Sequence, residues 1–163
     1  MEIGGWAGPA LRRVDLWAAG QWLTCDDNTA FVPQFRRSVA NTAAWLRAGH
    51  GAPVPFAGLS APSAHRRLVA GTGHEDDDDA LRRRFRFFGD WGPTTDNVEA
   101  FLFRDSEGRL EVTCQFWREE HLRTHPAHVG RIFAVEIPAP ELASLLEDLA
   151  AVLDGDDEPP GRP

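Results

Sequence analysis

Residues 98–117, VEAFLFRDSEGRLEVTCQFW, alternate apolar and polar positions on either side of a polar break at Asp105, Ser106, Glu107 and Gly108. A period of two sends successive side chains to opposite faces, so the segment predicts two antiparallel strands joined by a four-residue loop. The expected register pairs Phe103 with Leu110, Phe101 with Val112 and Glu99 with Cys114. That gathers Phe101, Phe103, Leu110, Val112, Cys114 and Phe116 on one apolar face. RIFAVEI at 131–137 predicts a further strand of the same meander, and RRFRFF at 83–88 a strand leading into it. Near the N-terminus, RVDLW and QWLTC flank Ala19 and Gly20. A two-residue turn there pairs Trp17 with Trp22, Leu16 with Leu23 and Val14 with Cys25, sorting Val14, Leu16, Leu23 and Cys25 to one face and Asp15, Trp17, Trp22 and Thr24 to the other.

The period changes to that of a helix in three places. Val32, Phe35, Val39, Ala43 and Leu46 form a stripe, with Pro33 suited to a first turn and Gly49 to a stop after Ala48. Ser60 is placed to cap a shorter helix over 61–70, with Pro62 in its first turn and Gly71 and Gly73 beyond its end. PELASLLEDLAAVL at 140–153 carries Leu142, Leu145, Leu146, Leu149 and Leu153 at i, i+3, i+4 and i+7 spacing. The expected fold is α+β. An antiparallel sheet of five or six strands, made of the N-terminal hairpin plus the meander, carries two main helices and one short one. It forms a single domain over residues 1–153, with a flexible acidic crossing at 72–80 and a disordered tail at 154–163.

Composition adds limits. At 163 residues the chain can bury a core without metal or disulfide staples. It shows neither a basic-then-apolar leader nor an apolar run long enough to cross a bilayer, so a cytoplasmic protein with no membrane partner is expected. Cys25 and Cys114 sit among apolar neighbours far apart in sequence and read as two buried free thiols. The net charge of −8 resides in two segments, Glu75 to Asp79 and the tail from Asp154, leaving a neutral body. Arg82, Arg83, Arg84 and Arg86 lie beside the first of these, so mutual neutralisation explains them better than a nucleic-acid partner.

Candidate chemistry is sparse. His121, His125 and His128 are the densest group of metal-ligand types, but no glutamate directly follows the first histidine as a zinc-protease motif requires, and Pro126 interrupts a helix between the second and third. No metal or other cofactor is therefore expected, with these three residues as the candidates if one binds. Nucleophile elbows and phosphate loops are absent, and the carboxylates after Cys25 oppose a thiolate there. The stretches GDWGPTTDN at 89–97 and WREEHLRTHPAHVG at 117–130 flank the meander as loops able to present side chains to a partner.

VDLWAAGQWLTCDDNTAFVPQF, FLFRDSEGRLEVTCQFWREEH and VGRIFAVEIPAPELASLLEDLAAVL together resemble the small immunity-type proteins, of actinobacterial kind, that accompany polymorphic toxins in bacteria. Those proteins often join a hairpin and helix to a meander that closes with V-x-I/V-P-x-x-E-L and a Leu-rich terminal helix; here the closing element is VEIPAPELASLL. The resemblance implies a non-enzymatic inhibitor that binds a cognate protein toxin and blocks its active site or substrate path. The expected contacts are Trp91, Asp96, Trp117, Glu119, Glu120 and the acidic run, with Trp17 and Trp22 as a further surface. Two other readings are a metal-dependent enzyme built on His121, His125 and His128, and an oligomerising module that uses the Trp17 and Trp22 face.

Overall fold

The computed structural model describes residues 1–71 and 73–155, and its strands form three small antiparallel sheets instead of the single larger one expected. In the first, β1 (Glu2–Gly8), β2 (Leu11–Asp15) and β5 (Thr29–Phe31) lie in the order β1-β2-β5. The second is a hairpin of two-residue strands, β3 (Trp17–Ala18) and β4 (Gln21–Trp22). The third holds β6 (Val98–Arg104), β7 (Arg109–Phe116) and β8 (Phe133–Pro138) in sequence order. The division follows from local geometry: β1 shifts register twice against β2, between Ile3 and Trp6 and between Trp6 and Gly8. Such bulges bend a strand and end its pairing. The same glycine-rich EIGGWAG stretch lacks clean alternation, which hid β1 from sequence reading.

The N-terminal hairpin has the expected register only beside its turn: Val14 pairs with Ile3 of β1 and its amide donates to the Asn28 carbonyl, so it does not pair with Cys25, and Thr24 is fully buried instead of sharing the open face with the tryptophans. Trp17 pairs with Trp22 and Ala18 with Gln21, and the Leu23 amide donates to the Leu16 carbonyl at 2.8 Å. Both turn residues have positive φ, 51° at Ala19 and 73° at Gly20, the backbone that a right-twisted two-residue turn needs. Val14, Leu16 and Leu23 are buried as read, whereas Cys25 is only half-buried.

The expected helices are all present. α1 (Val32–Arg47) buries Val32, Phe35, Val39, Ala43 and Leu46, the predicted stripe. α2 (Ala61–Ala70) starts at Ser60, whose hydroxyl accepts from the Ser63 amide. Two further helices are α3 (Glu75–Phe85) and α4 (Glu119–Thr124). The last helix, α5 (Ala139–Gly155), packs Leu146, Leu149 and Leu153 into one core with α1, and Arg47 grips Glu147 across that pair with two bonds of 2.7 and 2.9 Å. Arg36 reaches Asp154 in the same interface. The expected tail thus begins as helix; residues 156–163 lie outside the described residues, as does residue 72 of the acidic crossing.

The crossing itself is different from expectation. Glu75 to Asp78 form the first turn of α3 and Arg82, Arg83 and Arg84 its last, so acids face the helix's positive end and arginines its negative end. RRFRFF is not a strand: Phe85 closes α3, and only Arg86 bridges to Phe101.

The central hairpin also departs from the expected register by one residue on one strand. Leu102 pairs with Val112, Ala100 with Cys114, and Phe101 with Thr113. Its loop is the cause: Asp105 Oδ1 accepts from the Glu107 and Arg109 amides at 2.9 and 2.8 Å, which winds the turn so that Leu110 meets Arg104. The consequence is a sheet covered on both faces. Ala100, Leu102, Leu110, Val112, Cys114 and Phe116 join α1 and α5 in the larger core, while Phe101 and Phe103 join α2 and Phe85 in a second one.

Gly51 ties the α1–α2 connection to this sheet. Its φ is +119°, and an added Cβ would meet the Arg104 Cβ at 2.9 Å. Gly51→Ala is expected to cost about 1–3 kcal/mol by combined strain and collision, read from the midpoint of chemical unfolding. Among the described residues no helix is long and apolar enough to cross a membrane.

Candidate functional site

Val98 pairs with Phe116, so the start of β6 and the end of β7 share one end of the central sheet. Two connections and a short helix meet there. The β4–β5 connection brings Cys25 and Asp26, the loop before β6 brings Asn97, and α4 brings His121. The His121 ring is 2 % exposed and stacks on Phe116 at 4.0 Å and on His125 at 4.6 Å. Its Nδ1 lies 3.2 Å from Asp26 Oδ1 and 3.5 Å from Cys25 Sγ, and its Nε2 lies 2.9 Å from His128 Nδ1. Asn97 Nδ2 donates to Asp26 Oδ2 at 3.2 Å and to Cys25 Sγ at 3.6 Å.

Burial first, and the neighbouring Asp26 carboxylate second, push the Cys25 thiol up to about 11, so it stays protonated at neutral pH and is no free nucleophile. His128 is pushed below its ordinary range, first by desolvation and then by His121, His125 and Arg131. The three histidines do not form the shared ligand set that their spacing offered. Pro126 starts a separate 3-10 turn over Pro126–His128, so His128 meets His121 edge to edge, while His125 lays its ring face on His121. Stacked rings turn faces, not lone pairs, toward one another. The group whose donor atoms converge among the described residues is Cys25, Asp26 and His121. Nothing local in sequence announces it, because 95 positions separate Asp26 from His121.

A second feature lies where the β3–β4 hairpin approaches β8 and the start of α5. Trp17 and Trp22 stack there, centroids 5.9 Å apart and planes 14° from parallel, and remain 54 % and 38 % exposed. Trp22 Nε1 is shared between Asp15 Oδ1 at 2.9 Å and Thr24 Oγ1 at 3.1 Å, which fixes that ring. Trp17 borders a groove of about 420 Å³ lined by Leu16, Val135, Ile137, Leu142 and Leu145, with Glu136 and Glu141 also on its wall.

The other expected contact residues divide. Trp91 is 4 % exposed, packs edge-on against Phe35 and donates from Nε1 to Thr42 Oγ1 at 3.1 Å, so it belongs to the core and offers no surface contact. Its Gly/Pro loop concealed this, since a loop tryptophan without periodicity carries no burial signal. Asp96 and Trp117 are exposed and line one smaller groove with Arg86 and Glu99. Glu119 and Glu120 are exposed in the first turn of α4. These four are separate from the Trp17 and Trp22 hairpin. No protein-family profile, curated protein or solved structure matches this chain.

Proposed function

We propose that this chain is a non-enzymatic binding protein that docks a protein partner on the Trp17 and Trp22 hairpin and the adjoining groove. The observation that carries this reading is the exposed, hydrogen-bonded tryptophan pair beside an apolar cleft. Rigid aromatic anchors next to a pocket are what concentrated interface energy requires. Glu136 and Glu141 suit a partner segment that is apolar with a basic flank. Acting by occlusion on a cognate toxin, as an immunity-type inhibitor does, is the specific form of this function.

The test is capture from the native host by the tagged chain and by its Trp17→Ser and Leu145→Asp variants. A stoichiometric partner is expected with the parent chain, with binding weakened about thirtyfold or more in each variant at unchanged circular dichroism. The partner's own activity is expected to fall when the chain is added in equimolar amount. A partner held equally by all three chains, or a dimer in light scattering that Leu145→Asp converts to monomer, overturns the reading.

A further inference from the structure

The triangle of Cys25, Asp26 and His121 has dimensions of its own. Zinc bonded to sulfur at about 2.3 Å and to nitrogen or oxygen at about 2.0–2.1 Å in tetrahedral geometry sets ligand separations of about 3.6 Å for S to N, about 3.3 Å for N to O and about 3.5 Å for S to O. The observed separations are 3.5 Å from Cys25 Sγ to His121 Nδ1, 3.2 Å from His121 Nδ1 to Asp26 Oδ1, and 3.7 Å from Cys25 Sγ to Asp26 Oδ1. All three edges agree to about 0.2 Å.

The surroundings also match a metal centre. With Nδ1 as a ligand, His121 carries its proton on Nε2, where His128 Nδ1 waits as acceptor at 2.9 Å. Asn97 holds the other oxygen of Asp26. Such outer partners orient ligands and raise their basicity. Asn97 is itself 2 % exposed, and its Oδ1 has no hydrogen-bond partner among the described residues. An unused buried acceptor costs free energy, which marks the Asn97 amide, already bonded through its nitrogen to Asp26 and Cys25, as part of a polar site. Asp26 is exposed, which gives an ion a way in from solvent.

We propose that Cys25 Sγ, Asp26 Oδ1 and His121 Nδ1 bind one divalent transition-metal ion of the zinc type, leaving a fourth position for water; the metal displaces the Cys25 thiol proton, which is released to solvent as the sulfur–metal bond forms. A mixed sulfur, nitrogen and oxygen set favours zinc or cobalt over calcium and magnesium, which take oxygen alone. The site is separate from the tryptophan groove and stands whether or not a protein docks there.

The experiment is titration of the chelator-treated full chain with Co²⁺, followed by visible and near-ultraviolet absorption. One equivalent is expected to produce a thiolate-to-cobalt charge-transfer band with the intense visible bands of four-coordinate cobalt, both displaced by Zn²⁺ and not by Mg²⁺. Cys25→Ser is expected to abolish the charge-transfer band, and Asp26→Asn and His128→Ala to weaken binding tenfold or more. Cys114→Ser, in the core, is expected to leave the spectrum unchanged. Cys25 and Asp26 lie on the β4–β5 connection, and circular dichroism of each variant checks that it folds. Absence of the band overturns the proposal, as does a band that survives Cys25→Ser. Binding that is kept in Cys25→Ser but lost in His125→Ala shows a histidine-only site and overturns it equally.

Discussion

Phe101→Ala is expected to cost about 3–5 kcal/mol of folding stability, a large share of the roughly 5–15 kcal/mol that a domain has to lose. Phe101 is fully buried on the α2 side of the central sheet, in edge contact with His65 at 4.8 Å and clustered with Phe85, Phe103 and Leu68. Leu102→Ala, one residue along on the opposite face, is expected to cost about 2–5 kcal/mol as well, because it opens a cavity in the α1–α5 core. A sheet with one wet face would charge heavily for one of the two substitutions and hardly at all for its neighbour. Urea unfolding of both variants distinguishes these cases. Near-neutral behaviour of either would refute the two-sided arrangement and, with it, the observed register.

Acid is expected to weaken the fold through the second core. His65 is fully buried between α2 and β7, and burial, followed by Arg66, pushes its pKa from 6.5 down to about 4. Its Nδ1 meets Thr113 Oγ1 at 2.9 Å, and its Nε2 has no partner among the described residues, so an added proton finds no acceptor there. The unfolded chain takes up a proton near pH 6.5 and the folded chain does so only near pH 4. The neutral histidine's contribution is therefore whole above about pH 6.5 and shrinks as pH falls toward about 4. At pH 4.5 the loss amounts to about 2–3 kcal/mol, at 1.36 kcal/mol per unit. His65→Leu removes the titrating group, so its stability is expected to fall less than the parent's between pH 7 and pH 4.5 by that amount. Denaturant midpoints at the two pH values measure the difference. Equal losses would show that His65 is not held neutral.

Both outcomes depend on something the alternation of residues 98–117 concealed. A strand with an apolar residue on every face position reads as two equally good patterns displaced by one residue, and Phe101, Leu102 and Phe103 are consecutive. Asp105 breaks the tie by accepting two amides and winding the turn, a choice made by hydrogen-bond geometry that periodicity does not register. The stripe of α1 was legible because it faces a single core, so its apolar spacing has one meaning; in α5 Leu146, Leu149 and Leu153 are buried as expected, whereas Leu145 is 45 % exposed and Leu142 half-buried at the groove. α3 was not, since EDDDDALRRRF presents few apolar positions and owes its place to helix-end charges and to Phe85.

The candidate sites divide along the same line. The Trp17 and Trp22 pair was readable because a two-residue turn sets cross-strand neighbours within a few positions. Sequence alone left open whether a second layer covers the pair, and only the packing of β8 and α5 beside it decides that the rings stay exposed. Local order thus determined that the two hairpins and three of the helices form, with the buried stripe of α1, since these arise from interactions among residues close in the chain. The tertiary structure alone decided that Trp91 is core, that the central sheet is covered on both sides, and that Cys25, Asp26, Asn97 and His121 meet at its end. The contacts of Cys25 and Asp26 with Asn97 and His121 join segments 71 to 96 positions apart, and they exist only because the start of β6 and the end of β7 bring their flanking segments to one end of the sheet.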